Sequence, residues 1–275
     1  MSKPARSPET STAEPMLLRE DKDGITTLTL NRPAARNALN EELMDALIAA
    51  LQTIGGDRSV RAVILAANGP VFCAGHDLKE MTAHREDADK GRAYFKMLFD
   101  KCAGMMQAIV HLPQPVIASV QGIATAAGCQ LVASCDLVVA AENASFATPG
   151  VQIGLFCSSP MVALSRKVAS NHAFEMLSTG ALIPAQRAYE MGLVNRVVPA
   201  GESHHGALEL AQKITSKSAY VLKIGKEAFY RQLDMSLADA YKYGAGVMAE
   251  NMMARDAEEG IGAFIEKRDP KWEDR

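Results

Sequence analysis

The 275-residue chain holds no apolar run near the ~20 residues that span a bilayer. It also has no excess of one charge sign: 29 Lys+Arg stand against 32 Asp+Glu, a formal net charge of −3, so no broad basic field draws it to nucleic acid or an anionic membrane. Any anionic ligand must be met by local groups. The five cysteines (Cys73, Cys102, Cys129, Cys135, Cys157) form no C-x-x-C pair and mostly sit in apolar stretches, which points to a reduced compartment. Four signatures are missing: G-x-x-x-x-G-K-[ST], G-x-G-x-x-G after a strand, G-x-S-x-G and H-E-x-x-H. No metal is expected, because His204-His205, beside Gly201 and Gly206 in a polar stretch, reads as a surface loop. The start "MSKPARSPETSTAEP" lacks the apolar region of a secretory signal, and its acids and prolines make a poor transit helix. Residues 1–15 are expected to form a disordered tail and the location to be cytoplasmic, with mitochondrial import finding no support in this segment.

What the chain does hold is apolar content, 48% of residues, enough for a sizeable interior. "MLLREDKDGITTLTL" alternates on both sides of Asp23-Gly24 and predicts a β-hairpin. From Asn40, a candidate N-cap, Leu43, Ala46, Leu47, Ala50, Leu51 and Ile54 fall at helical spacing until Gly55-Gly56. "RAVILAA" (61–67), "PVIASVQG" (115–122) and "DLVVAAE" (136–142) are strand-length runs, with a helix opening near Ala126. Strands separated by helices predict an α/β fold with a covered sheet. Beyond about residue 200 the strand signal fades into three helices: "ALELAQKITSK", "AYVLKIGKEAFYRQL" and the stretch from Leu237 to Lys267. The expected organisation is a core over 16–200 and a helical region over 201–275 that packs on the core or on another subunit.

"ATAAGCQLVASCD" (124–136) is where chemistry is expected. Small residues Ala126, Ala127 and Gly128 leave the first helical N–H groups uncovered, and those groups have no intrahelical acceptor. They fit an anion, or they let the helix pack tightly on a strand. The next polar position, Gln130, is a neutral amide with no proton to trade. Further on, "LFCSSP" offers Cys157, Ser158 and Ser159 as pocket lining or packing, with no base placed beside them to activate a nucleophile.

"NRPAARNALN" (31–40), "GPVFCAGHDLKEM" (69–81), "PQPVIASVQGIATAAGCQLVASCDLVVAAENASF" (113–146) and "EEGIGAFIEKRDPKW" together resemble the crotonase, or enoyl-CoA hydratase/isomerase, superfamily over roughly residues 17–272. "AGHDLKE" and "SFATPGV" with "GLFCS" are most similar to its enoyl-CoA hydratase domain-containing protein 3 group. The resemblance implies a ClpP-like spiral of ββα units with a C-terminal helical region that builds a homotrimer or a dimer of trimers. It implies an acyl-CoA thioester as ligand, coenzyme A entering as part of the substrate and no separate cofactor. Backbone N–H groups of His76 and Ala127 would form an oxyanion hole for a thioester enolate.

The same resemblance puts the two usual catalytic glutamates at Gln130 and Gly150, neither of which can act as acid or base. It makes Asp136 and Glu142 structural, solvated or at a subunit contact. CoA binding would fall to Arg36, Ala74 and Lys79, with Phe264 and Lys267 reaching in from an adjacent subunit. Their spacing of three puts Phe264 and Lys267 on one helical face, which also fits a core Phe beside a solvated Lys. Asp77 reads as an N-cap, and the His76 imidazole is expected to face away from the thioester. Two functions follow: a polarised thioester that isomerises, hydrolyses, decarboxylates or is hydrated atypically, or a non-catalytic acyl-CoA binding or regulatory protein.

Overall fold

The computed structural model describes residues 14–275. The expected tail therefore lies almost wholly outside the described residues. The hairpin forms as anticipated, β1 (Leu17–Lys22) pairing antiparallel with β2 (Ile25–Leu30) around Asp23-Gly24. α1 (Glu41–Gly56) starts at Asn40, whose side chain accepts from the Leu43 N–H at 3.1 Å and so satisfies one orphan donor of the first turn.

From there strands come in pairs, and each pair is divided between two sheets. β3 (Ala62–Ala67) is followed by β4 (Val71–Cys73), then α2 (Leu78–Ala83) and α3 (Arg92–His111). β5 (Val116–Val120) is followed by β6 (Ile123–Thr125) and α4 (Ala127–Ser134), and β7 (Leu137–Ala141) by β8 (Ser145–Ala147). Next come α5 (Pro160–Leu164), α6 (Ser170–Thr179), β9 (Ile183–Pro184), α7 (Ala185–Glu190) and β10 (Arg196–Val198). One sheet runs β1-β2-β3-β5-β7-β10 and the other β4-β6-β8-β9. Apart from the hairpin and the β8–β9 pair, neighbours are parallel, so each ββα unit climbs one step of a spiral. Every residue of β5 is buried, as a strand covered on both faces must be.

α8 (Ser203–Thr215) packs its Ala207 and Ala211 onto Ile64, Ile117 and Val139, covering the larger sheet on the side away from the main core. His204 and His205 lie exposed in its first turn, not in a loop. The remaining helices are α9 (Ala219–Gln232), α10 (Leu237–Met252) and α11 (Arg255–Glu266). The stretch from Leu237 to Lys267 thus divides in two at Met253–Ala254. α11 closes at Lys267, which takes left-handed φ +56° while Arg268 N–H reaches back to the Ala263 carbonyl at 3.0 Å. Lys267 is therefore outside the helix, and the expected shared helical face with Phe264 does not extend to it.

One partly buried cluster ties α9 to the core. Asp136 accepts from Val116 N–H (2.6 Å), Lys226 Nζ (2.7 Å) and Tyr230 Oη (2.8 Å). These three bonds give Asp136 a structural role within the chain. Lys226 also donates to the Ile109 and Gln114 carbonyls, so its ammonium is fully hydrogen-bonded although burial pushes its pKa down.

Candidate functional site

The loop after β4 is stitched to the loop before α1. Leu39 N–H donates to the Gly75 carbonyl at 2.7 Å and Asp77 N–H to the Leu39 carbonyl at 3.0 Å. His76 lies between these two bonds with its own N–H turned outward, as alternation along a paired segment requires. Arg36, exposed and left-handed at φ +54°, accepts the Ala74 N–H at 3.1 Å, and the Ala74 carbonyl accepts the Thr125 hydroxyl at 3.1 Å. Lys79 is exposed in the first turn of α2.

Thr125 leads into α4, whose entry is strained. Ala126 sits at φ +50°, ψ −119°, a conformation that costs a residue with a Cβ on the order of 1–3 kcal/mol. Its N–H donates to the Ala147 carbonyl at 2.9 Å, which holds the turn in place. A Cβ added at Gly75 would stand 2.9 Å from the Ala126 Cβ and 3.4 Å from the Ala127 nitrogen, so the two loops touch. The structure thus brings His76 and Ala127 together. Among the described residues neither the His76 nor the Ala127 N–H has a hydrogen-bond acceptor.

The small-residue run before Gln130 serves two ends. At Gly128 a Cβ would fall 2.2 Å from the Cys73 carbonyl oxygen, so glycine is there for close packing of α4 on β4. The neighbouring Ala127 N–H is not used in that packing. Two free N–H groups, one carrying the partial positive charge of a helix start, suit an oxygen that gains negative charge.

The titratable groups around this point are committed elsewhere or held neutral. Asp77 caps α2 by accepting from Lys79 N–H (3.1 Å) and pairs with Arg32 (3.2 Å), the capping role expected of it. The His76 imidazole packs edge-on against Phe99 with centroids 5.4 Å apart, and its buried Nε2 has no partner among the described residues. Burial drives its pKa down to about 4, so the ring is neutral at pH 7. Gln130 is buried on α4, and its side-chain oxygen also lacks a partner among the described residues.

Gly150 follows Pro149 in a short 3-10 turn, Pro149–Ile153. A Cβ there would lie 2.5 Å from the Leu155 carbonyl oxygen and 2.8 Å from the Cys157 sulfur. The volume of any side chain at 150 is therefore already filled by the loop that follows. Of the three residues expected to line a pocket, Cys157 is buried against Gly150 and its thiol is kept protonated by burial. Ser158 is exposed with its hydroxyl on the Phe156 carbonyl, and half-buried Ser159 precedes α5. Phe264 stands 85% exposed on α11, and Lys267 is exposed beyond its end. Among the described residues no three His, Cys, Asp or Glu side chains are grouped to hold a metal ion, and no helix is long and apolar enough to cross a membrane.

Sequence reasoning missed Thr148, whose fully buried hydroxyl has no partner among the described residues, and the strain at Ala126. The signal for Thr148 is faint: a hydroxyl between the apolar strand β8 and Pro149.

The family model described as enoyl-CoA hydratase/isomerase matches residues 20–275. The enoyl-CoA hydratase domain-containing protein 3, mitochondrial, of Homo sapiens is 45% identical over 250 residues, covering 91% of this chain and 81% of that one. Its Rattus norvegicus counterpart is 44% identical over 261 residues, 94% of this chain and 85% of that one. Among solved structures, an enoyl-CoA hydratase of Mycobacterium smegmatis superposes with a TM-score of 0.90 at 51% identity, covering 94% and 99% of the two chains. The human domain-containing protein 3 superposes with a TM-score of 0.89 at 44% identity, covering 94% and 100%. With its paired strands split between two sheets and relatives this similar over nearly their whole lengths, the chain belongs to the enoyl-CoA hydratase/isomerase family, the crotonase superfamily.

Proposed function

We propose that this protein binds an acyl-CoA thioester and polarises its carbonyl between the N–H groups of His76 and Ala127, and that ordinary enoyl-CoA hydration is not its main activity. The observation that carries the reading is the pair of uncommitted N–H groups brought together where Gly75 meets Ala127. One such donor contributes on the order of 10²–10³ in rate when aimed at charge that develops in a transition state. Hydration also needs a carboxylate to activate water and another group to manage the α-proton. Gln130 and Gly150 supply neither, Asp77 is spent on a cap and an ion pair, and His76 is neutral in an apolar contact. Reactions left to such a site are isomerisation, hydrolysis, decarboxylation or slow hydration with water as the partner.

In this reading Arg36, Ala74 and Lys79 flank the nucleotide and pantetheine arm, and Phe264 and Lys267 approach from a neighbouring subunit. Support for a trimer or dimer of trimers comes from the exposed large apolar side chains of the last three helices, among them Phe229, Tyr241, Met248, Met252 and Phe264. The filled space at Gly150 favours a second reading, a non-catalytic acyl-CoA binding or regulatory role, because no single substitution would reinstate a carboxylate there.

Calorimetric titration with a panel of enoyl-CoA and β-substituted acyl-CoA thioesters, with mass spectrometry of each mixture, tests the proposal. Micromolar binding with hydration far below that of a two-carboxylate hydratase is expected. Hydration of a short enoyl-CoA at a two-carboxylate rate would overturn it.

A further inference from the structure

The parallel ladder between β4 and β6 stops short of both amide donors. It pairs Val71 with Ile123 and Cys73 with Ala124, two residues of β4 against one of β6, and His76 and Ala127 lie beyond its end. Past that end, one hydrogen bond among the described residues crosses from the segment that carries Ala127 to the loop that carries His76. In it the Thr125 hydroxyl donates to the Ala74 carbonyl at 3.1 Å. The anchor is itself fixed from the other side, since Ala74 N–H donates to the Arg36 carbonyl at 3.1 Å and the Gly75 carbonyl accepts from Leu39 N–H at 2.7 Å. Thr125 is half-buried and β-branched, so its χ1, and with it the aim of the hydroxyl, is restricted.

What this bond restrains is the peptide between Ala126 and Ala127. The Ala127 N–H points where ψ of Ala126 sends it, and Ala126 stands at φ +50°, ψ −119°. Those angles suit the first central position of a type II′ turn, where glycine is usual, so an alanine is strained there. Rotation of the peptide relieves the strain and swings the Ala127 N–H away from the His76 N–H. Two bonds on the preceding residues resist it. The bond from Ala126 N–H to the Ala147 carbonyl, at 2.9 Å, ties the turn to β8, whereas the Thr125 bond ties it to the loop of the other donor.

We propose that Thr125 is a positioning residue whose hydroxyl, bonded to the Ala74 carbonyl, sets the spacing of the two donors and keeps the Ala127 N–H aimed at the thioester oxygen, a role that rests on the thioester reading above. Thr125 touches no reacting atom. It acts through the Ala126–Ala127 peptide, so its loss weakens only what the carbonyl oxygen contributes to binding and leaves the rest of the coenzyme A contacts in place.

The test compares the wild type, Thr125→Val and Thr125→Ser as full chains, by calorimetric titration with butyryl-CoA and with free coenzyme A, which lacks the thioester carbonyl. The carbonyl band of bound, isotope-labelled butyryl-CoA is read alongside. Thr125→Val is expected to lose about three- to tenfold in affinity for butyryl-CoA, the share of one hydrogen bond, and none for free coenzyme A. Its carbonyl band moves about half way back toward that of the free thioester, because one of two donors is misaimed. Thr125→Ser keeps the hydroxyl and matches the wild type in all three readings. Should the valine variant not fold, Thr125→Ala carries the same expectations. An equal loss for both ligands, or a band in the hydroxyl-free variant that stays at the wild-type position, would overturn the positioning role and leave the oxyanion hole intact. A wild type that binds butyryl-CoA with no band shift would instead sink the thioester reading and this role with it.

Discussion

Gly75 and Ala127 approach so closely that a methyl group on Gly75 would stand 3.4 Å from the Ala127 nitrogen and 2.9 Å from the Ala126 Cβ. Gly75 also takes φ +93°, which an L side chain rarely adopts. Gly75→Ala is therefore expected to part the two loops, lowering stability by about 1–3 kcal/mol and acyl-CoA affinity at least about tenfold. Urea unfolding and calorimetry on the same variant check both.

The strain at Ala126 predicts the opposite sign. Ala126→Gly relaxes a residue at φ +50° and is expected to leave stability unchanged or raised by up to about 1 kcal/mol, even though glycine frees the unfolded chain. Two positions on, Gly128→Ala drives a methyl into the Cys73 carbonyl and is expected to cost about 3 kcal/mol or more. Chemical denaturation of the pair separates strain from packing within a single turn.

Acidification should act through His76. Burial lowers its pKa from 6.5 to about 4, so the folded chain binds this proton less readily than the unfolded chain. The sign follows: the contribution is complete above pH 6.5 and is lost as pH falls from 6.5 toward 4. Each pKa unit is worth about 1.4 kcal/mol, which sets the loss on the order of 3 kcal/mol. His76→Gln removes that part of the slope in unfolding free energy measured between pH 4 and 7.

A carboxylate is not readily accommodated at position 150. Gly150→Ala is expected to destabilise by about 1–3 kcal/mol, because the Leu155 carbonyl and Cys157 sulfur already fill the site. Gln130→Glu is sterically mild but buries an acid without a cationic partner, which raises its pKa above that of the unfolded chain. Its stability penalty is then small below the unfolded carboxyl pKa and grows as pH rises through the folded one. Melting temperatures across pH 4–8 give the test.

The largely buried Lys226 side chain and its partner Asp136 yield another expectation. Asp136→Asn leaves the Lys226 ammonium, 7% exposed, without its countercharge, and breaking such a pair costs about 3–5 kcal/mol. Asp136→Asn with Lys226→Met should cost less than the sum of the two single changes. Denaturant midpoints of the three variants decide it.

Legibility in the sequence followed how local each cause is. The Asn40 and Asp77 caps, the hairpin at Asp23-Gly24 and the covered strands were readable because each rests on a few adjacent residues. The break between α10 and α11 was not, since "NMMARD" holds neither glycine nor proline. Lys267 took a left-handed cap where glycine is usual, which removed the helical spacing assumed for it. At the site, it was visible from residue type that neither Gln130 nor Gly150 can act as acid or base. That Gly150 is walled in depends on the chain returning at Leu155 and Cys157, and that the Gln130 side-chain oxygen has no partner among the described residues depends on what does not surround it. Neither relation has a local signature.

The most direct measurement is the carbonyl stretching frequency of an isotope-labelled acyl-CoA thioester bound to the protein, taken as an infrared difference spectrum. Hydrogen bonds from the His76 and Ala127 amides predict a clear shift to lower frequency relative to the free thioester. A bound thioester whose carbonyl band stays where it is in water would contradict the account.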